Sequence, residues 1–470
     1  MPMTRLRSRL RFNNTAAIHK LPNELLGEIM HLGFQRYKLE DHDHIDYLNT
    51  ISAVCAIWRR VALDLPFLWT SVVYCSTHHR LKRSLDRMET YFARSKNLPL
   101  DVMLDFGESK VNARRIMKVV SSHTGRFRFW RITIETQEIS KTILPLRGPL
   151  DRLETLIVQL NFADLNGEEE QQQNARSPPG LELMVENVDP PLRELCVTGL
   201  AGCKLSNVPT QALIVVRINS ICMSTVEMAR ILSRCQAAVN VNMVSLGDKE
   251  TLNGIAPFAL PSVETLTIVD NLPPTFPSLI DVASLRELTI VSSTFNPEIW
   301  ASSPSPELPV PTWPNLHRLS LRGLWIVPDA IRPLLLANPS IKHIDMRDCR
   351  EIISLALVLF IVKSPSGNEF VDASDTIVPV LEKLQIEQST DQLDNGSLGK
   401  LILGVMTRRP ILRVECDIES WEGSHLSWWR VREQTNSRFK LIPMRSTCMD
   451  LVIYQLLLKL TNDACSDFIV

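Results

Sequence analysis

Two histidines, His42 and His44, stand among carboxylates in the run Glu40-Asp41-His42-Asp43-His44-Ile45-Asp46. Imidazole and carboxylate both ligate divalent metals, so this run is the first place to look for a centre. Residues two apart do not share a helix face, however, and nothing nearby completes a tetrahedral set. The run reads as a solvated connector. Gly396-Ser397-Leu398-Gly399-Lys400 approaches a phosphate-cradling loop, but the first glycine is missing at the required spacing. Leu401 also stands where Ser or Thr would hold magnesium, and Ser397 fits a helix cap better. His-Glu-x-x-His, Gly-x-Ser-x-Gly and Gly-x-Gly-x-x-Gly are absent. Most of the ten histidines are isolated, so no nucleophile–base pair can be nominated. The ten cysteines, at 55, 75, 196, 203, 222, 235, 349, 416, 448 and 465, include no Cys-x-x-Cys. Most fall inside apolar patterns, where a reduced thiol behaves as a small buried hydrophobe. The expectation is a non-enzyme with no metal and no cofactor, in the cytoplasm or nucleus.

The elements that carry these residues follow from composition and periodicity. At 470 residues the chain calls for two or three domains or one extended repeat array. Apolar residues at 45% and charged ones at 22% exclude wholesale disorder. Lysine plus arginine total 51 against 52 for aspartate plus glutamate, so the basic surplus of a nucleic-acid binder is missing. The longest apolar stretch, around Ile352 to Val362, falls well short of the roughly 20 residues that span a bilayer. No apolar signal segment opens the chain. Arg5, Arg7, Arg9 and Arg11 suit a nuclear signal or the front of a transit peptide, but without a compact Lys/Arg cluster or Ser-rich flanks residues 1–17 read as a disordered basic tail.

Ordered pattern starts at Leu21, with Pro22 suited to the first helical position. Leu25, Leu26, Ile29 and Met30 then recur at helical spacing. A second stripe follows in Leu48, Ile51, Val54, Cys55, Trp58 and Ala62, with Arg59 and Arg60 in its later turns. Leu21-Pro22-x-Glu24-Leu25-Leu26-x-x-Ile29 and Val54-Cys55-x-x-Trp58-Arg59 lie 33 residues apart, first Leu to Val. Pro66-x-Leu68-Trp69 and Leu98-Pro99-Leu100-Asp101-Val102 continue the order. Residues 18–135 thereby resemble the F-box-like domain abundant in fungi.

From about residue 125 a phrase recurs, apolar at positions one, four and six. It reads Phe129-Ile132-Ile134, Leu153-Leu156-Val158, Leu192-Leu195-Val197, Leu213-Val216-Ile218 and Val241-Val244-Leu246. Val263-Leu266-Ile268, Leu285-Leu288-Ile290, Leu316-Leu319-Leu321, Ile341-Ile344-Met346, Leu381-Leu384-Ile386 and Ile411-Val414-Cys416 continue it. The shorter intervals, 21 to 25 residues, are those of leucine-rich repeats, and the longer ones hold insertions. Position nine, where Asn or Cys usually satisfies turn backbone, is Asn161, Asn271 and Cys349 in three repeats but Leu200, Ile221 and Leu324 in others. The array is degenerate. Helices are predicted over 224–235, 329–337 and 397–409. A doubly wound sheet is the competing architecture, since strand and helix alternate there too. Trp421, Trp428 and Trp429, with Arg430 and Arg432, are either binding anchors or the cap that every solenoid needs, and capping takes precedence.

The expected fold is α/β: a small N-terminal helical F-box-like module, then an irregular leucine-rich-repeat solenoid, a curved parallel sheet with helices on its convex side. Its boundaries are 18–75 for the module, 76–124 for a linking helix and first strands, and 125–470 for the solenoid with its C-terminal cap. The resemblance implies a substrate-recognition subunit of a cullin-type ubiquitin ligase that contacts a Skp-family adaptor. Leu21, Pro22, Leu25, Leu26, Ile29, Val54, Cys55, Trp58 and Arg59 would make that contact. A non-ligase interaction scaffold is the alternative. Polar residues between the apolar positions, among them Thr289, Arg318, Ser320, Lys342 and Asp345, would face a target protein.

Overall fold

The computed structural model describes residues 21–38, 43–76, 81–107, 109–136, 139, 143, 145–146, 149–160, 184–185, 192–199, 208–220, 225–245, 256–270, 279–291, 312–324, 328–347, 349, 378–387, 412–417 and 439–442. The basic tail, the 396–401 run, the helix predicted over 397–409 and the tryptophan cluster lie outside them. The described residues divide into two compact units. One runs to residue 160 and adds residues 184–185, 192–193 and 208–209; the other holds residues 194–199 and those from 210 on.

The first unit opens with three helices, α1 (Asn23–Lys38), α2 (Asp43–Val54) and α3 (Ala56–Asp64). Two expectations are corrected here. The polar run is not all connector, because Asp43 to Asp46 form the first turn of α2, where the helix dipole favours carboxylates. The stripe from Leu48 to Ala62 is not one helix either. It breaks at Cys55, whose backbone is extended (φ −163°, ψ 174°) and whose Sγ accepts the Trp58 N–H at 3.5 Å, capping α3. The carbonyl of Ser52 that this break frees accepts from Arg59 Nε at 2.8 Å. Leu26, Met30, Phe34, Leu48, Ile51, Val61 and Ala62 form the buried core of the three helices. Gly33 lets α2 approach closely: a Cβ there would overlap the Tyr47 ring, whose hydroxyl donates to Met30 O at 3.0 Å.

A 3-10 turn at Pro66–Trp69 leads into the strands, and Trp69 Nε1 donates back to Ala62 O at 3.0 Å. The Trp69 ring is buried against the edge of Tyr91, with the Arg94 guanidinium 4.5 Å above it. β1 (Ser71–Cys75), α4 (Leu81–Arg94), β2 (Leu100–Phe106), α5 (Lys110–Val120), β3 (Phe127–Ile134), β4 (Pro145–Leu146), β5 (Thr155–Leu160) and β6 (Met184–Val185) complete this unit. β1, β2, β3 and β5 pair in that order, all parallel, and β4 pairs β6. The sheet thus begins at Ser71, two strands ahead of where the repeat phrase is first read. Asp101, buried on β2, is held by Arg128 through a two-pronged pair with its shortest arm at 2.9 Å. Arg87 of α4 donates to Val73 O at 3.2 Å. Residues 70, 72 and 74 direct their backbone groups to β2, so that carbonyl lies on the other side of β1, which pairs with no strand among the described residues.

The second unit contains β7 (Glu194–Thr198), β8 (Val215–Ser220), α6 (Thr225–Leu232), β9 (Asn240–Ser245), β10 (Phe258–Ala259), β11 (Thr265–Asp270), β12 (Ile280–Asp281) and β13 (Glu287–Val291). It continues with β14 (Arg318–Arg322), α7 (Pro328–Ala337), β15 (His343–Arg347), β16 (Lys383–Glu387), β17 (Arg413–Asp417) and β18 (Phe439–Ile442). Among the described residues β10 pairs only β12, and the other strands form one open ladder in chain order with every pair parallel. A doubly wound sheet reverses its strand order at a switch point, and this ladder does not. Right-handed crossovers that always step the same way keep their connections on one face. The fold is α/β with a large, open parallel sheet, an arrangement that fits a solenoid.

Register corrects two of the phrases. Leu266 pairs with Val241 and Ile268 with Met243, so that repeat is Ala238-Val241-Met243 rather than Val241-Val244-Leu246. Trp130 pairs with Leu156, which makes the β3 repeat Phe127-Trp130-Ile132. The spacing from Val216 through Val241 to Leu266 is then an even 25 residues.

A further element precedes the phrase. The N–H of position one returns to the carbonyl three residues earlier at Leu150, Thr210, Cys235, Leu260, Val282, Trp313, Asn338 and Val378, and Phe127 does the same with Thr124. Every one of those earlier residues is buried. Proline follows directly in Pro261, Pro314, Pro339 and Pro379, as the second position of a type I turn prefers. Asn338 ties one turn to the previous one: its Oδ1 accepts from Trp313 N at 2.6 Å and its Nδ2 donates to Leu334 O at 2.8 Å. Asn338→Ala strands both partners and should cost about 2–4 kcal/mol, against about 0.4–1 kcal/mol for Pro339→Ala. Urea unfolding of the two variants against wild type measures the difference.

Candidate functional site

Two surfaces, one in each unit, hold the residues singled out by sequence. On α1, Leu25, Ile29 and Leu32 recur at i, i+4 and i+7 and are 52%, 44% and 68% exposed. Leu26, one residue along, is 1% exposed and belongs to the core. The helix therefore carries two adjacent apolar stripes, and its own unit covers one of them. Val54, at the end of α2, is 52% exposed as well. Pro22 and Arg59 are exposed, while Leu21, Cys55 and Trp58 are half-buried. The nine predicted contact residues thus separate by role. Leu26 packs inside, Cys55 caps α3, and Arg59 closes the end of α2. Pro22, Leu25, Ile29 and Val54 are left facing outward. Leu32, which sequence reading passed over, completes the stripe, and its spacing of seven from Leu25 was the available signal. Trp58 Nε1 is buried with no hydrogen-bond partner among the described residues, which marks the indole as packing by its ring.

The second surface is the face of the β13–β17 ladder formed by the residues between the apolar positions. Burial alternates along β15, and along β13 from Glu287 to Ile290, as a sheet with one packed face requires. Thr289, Ser320 and Asp345 are in register on three successive strands. Ser320 is only 3% exposed, and its hydroxyl lies 3.5 Å from Asp345 Oδ2, which Arg347 Nε also holds at 3.2 Å. Arg322 Nε reaches the same hydroxyl at 3.4 Å. Arg318 is exposed beside Glu287 at 3.4 Å, and Lys342, one residue before β15, pairs with Glu382 at 3.3 Å. Four of the five predicted target-facing residues keep an accessible side chain, and Ser320 serves the network beneath them.

Cations set the electrostatics at β15. The His343 imidazole is held below its usual pKa by burial first and by Arg318 next, with Lys383 and Lys342 acting the same way and Glu382 opposing them. Cys235 has its thiol pushed up to about 12 by burial, so it is un-ionised and inert at neutral pH. Cys349, at position nine of its repeat, donates from Sγ to Leu321 O at 3.3 Å, the backbone-satisfying role expected there. Among the described residues no group of His, Cys, Asp and Glu could hold a metal ion, and no helix is long and apolar enough to cross a membrane.

Compared with known proteins, the chain matches no family model and no curated sequence.

Arg318 and Lys342 make only exposed pairs, each worth at most about 1 kcal/mol. Arg318→Glu with Lys342→Glu should therefore leave the thermal midpoint within a few degrees of wild type. Ser320→Glu, which buries a carboxylate beside Asp345, should lower it far more. Circular-dichroism melts of the two variants test whether the face is built as the burial implies.

Proposed function

We propose that the chain is the substrate-recognition subunit of a cullin-type ubiquitin ligase. In this reading the three helices form an F-box-like module that docks a Skp-family adaptor. The second unit is a degenerate leucine-rich-repeat solenoid, a curved parallel sheet with helices on the convex side, and it holds a target protein. The chain works by tethering: a held target sees the ubiquitin-loaded enzyme at an effective concentration set by the scaffold, and the transfer chemistry belongs to other subunits.

One observation carries the reading. α1 leaves Leu25, Ile29 and Leu32 in solvent as a helical stripe beside the stripe it buries. Apolar groups arrayed at that spacing suit a groove-forming or helical partner, and burying three such side chains supplies several kcal/mol by order of magnitude. The competing scaffold reading also has an observation behind it. Trp69 ties α3 to the entry of β1, so the helices also serve as a cover for the start of the sheet.

Co-purification decides between them. The Skp-family adaptor should be captured by the full chain, and Leu25→Asp with Ile29→Asp should abolish capture without lowering the thermal midpoint, because both side chains already face water. Leu25→Asp with Trp58→Ala should abolish it too, at some cost in stability from the half-buried indole. An adaptor that ignores the wild-type chain, or that still binds the folded Leu25/Ile29 variant, leaves the scaffold reading standing.

A further inference from the structure

The helices between the first strands are charged unevenly. β1, β2 and β3 are parallel neighbours in chain order, so right-handed crossovers set α4 and α5 on the same face of the sheet, where they pack together. α4 mixes its exposed charges, with Lys82 and Arg83 followed by Asp86 and Glu89. An ordinary solvated face intersperses both signs in that way. α5 does not. It holds Lys110, Arg114, Arg115 and Lys118 and no carboxylate at all.

Ala113, Ile116 and Val120 take up the packed side of α5. Val111, Arg114, Arg115 and Lys118 are all exposed and recur at i, i+3, i+4 and i+7, the spacing of a single contact stripe on a helix. Val111 is 60% exposed. Arg114, Arg115 and Lys118 make no ion pair with any described residue. Lys118 repels Arg114 four residues back and Arg115 three back, and no acid on the helix relieves them. Lys110, in the first turn, also opposes the helix dipole. The stripe destabilises its own helix, and an anionic partner would reverse that.

A polynucleotide, an anionic membrane and an acidic polypeptide all suit free cations, and the neighbouring helix chooses among them. Asp86 and Glu89 stand exposed on the same layer, where a duplex with one charge per about 1.7 Å, or a plane of anionic headgroups, would meet them too. Tyr91 and Phe92, the aromatics of these two helices, are buried and offer bases nothing to stack on. A helix is narrow enough to follow one stripe, and its side chains rise in the same steps as those they face. We propose that the outer face of α5 docks an acidic amphipathic helix of a partner protein. An apolar side chain of that helix covers Val111, and its carboxylates meet Arg114, Arg115 and Lys118, with the arginine forks binding them two-pronged. The site is separate from both surfaces described above and stands whichever role the three N-terminal helices have.

The probe is a fluorescein-labelled, alanine-based helical peptide with leucine and three glutamates at i, i+3, i+4 and i+7, titrated with the full-length chain. A peptide of the same composition with its glutamates spread around the helix serves as comparison. The patterned peptide should bind about tenfold or more tighter, the combined effect of two or three exposed ion pairs, and its affinity should fall as salt rises. Arg114→Gln with Arg115→Gln and Lys118→Gln should remove the preference, and Val111→Asp alone should weaken it. Lys82→Gln with Arg83→Gln should keep it. The triple variant breaks no ion pair among the described residues and relieves repulsion, so it should melt no lower than wild type. Equal binding of the two peptides, a preference untouched by the triple variant, or an equal loss in the Lys82/Arg83 variant would overturn the proposal. So would displacement of the bound peptide by single-stranded RNA or phosphatidylserine vesicles at matched charge concentration.

Discussion

One carbonyl per repeat governs the second unit. Glu264 O accepts two successive N–H groups from the next strand, Arg286 at 2.8 Å and Glu287 at 2.9 Å. Arg286 O does the same for His317 and Arg318, His317 O for Lys342 and His343, and Lys342 O for Glu382 and Lys383. Ile214 and Val239 start the series. Each doubled bond pins the next strand at its first residue, and side chains alternate along a strand, so a slip of one residue would exchange the packed and open faces. The buried turn before each phrase delivers the chain to that bond. The Thr289, Ser320, Asp345 column is a consequence of the same register.

The helical unit depends on a different economy. α1 is apolar over more of its circumference than α2, α3 and the Pro66–Trp69 turn can cover. The break at Cys55 matters to this, because it turns what would be one long helix into two short ones that can both pack on Leu26, Met30 and Phe34. A straight helix through Cys55 would carry Val61 and Ala62 away from that core. The uncovered stripe is left over once the packing problem is solved.

Most of the sheet was readable from sequence because leucine and isoleucine at positions one, four and six mark the strands directly. The two frame errors have a common cause. Around β9, Ala238 is a weak marker, and Val241, Met243, Val244 and Leu246 satisfy two frames equally. Around β3, Phe127, Phe129, Trp130, Ile132 and Ile134 are apolar too often for any frame to stand out. In both places the choice is made by pairing to a neighbour, a long-range fact. The turn residue was invisible because burial there selects for fit rather than type: Thr, Leu, Cys, Val, Trp and Asn all occupy it. At the candidate docking surface the residues were legible as a set, but Leu25 and Leu26 are chemically the same, and only packing tells the exposed one from the buried one. The burial of Ser320 was hidden for a related reason. A polar residue on the open face can still be covered when larger neighbours such as Arg322 and Asp345 close over it.

The bond from Arg87 to Val73 bears on how the protein behaves in company. A sheet whose strands add in chain order ends in an edge, and an edge with bare carbonyls and amides is a template on which another chain can add a strand. All five residues of β1 are buried, and the carbonyl at the middle of its outer side is already taken by a guanidinium from α4. A strand adding there would have to displace that guanidinium. At its first strand the sheet is thereby blunted by a single arginine from the helix that follows it.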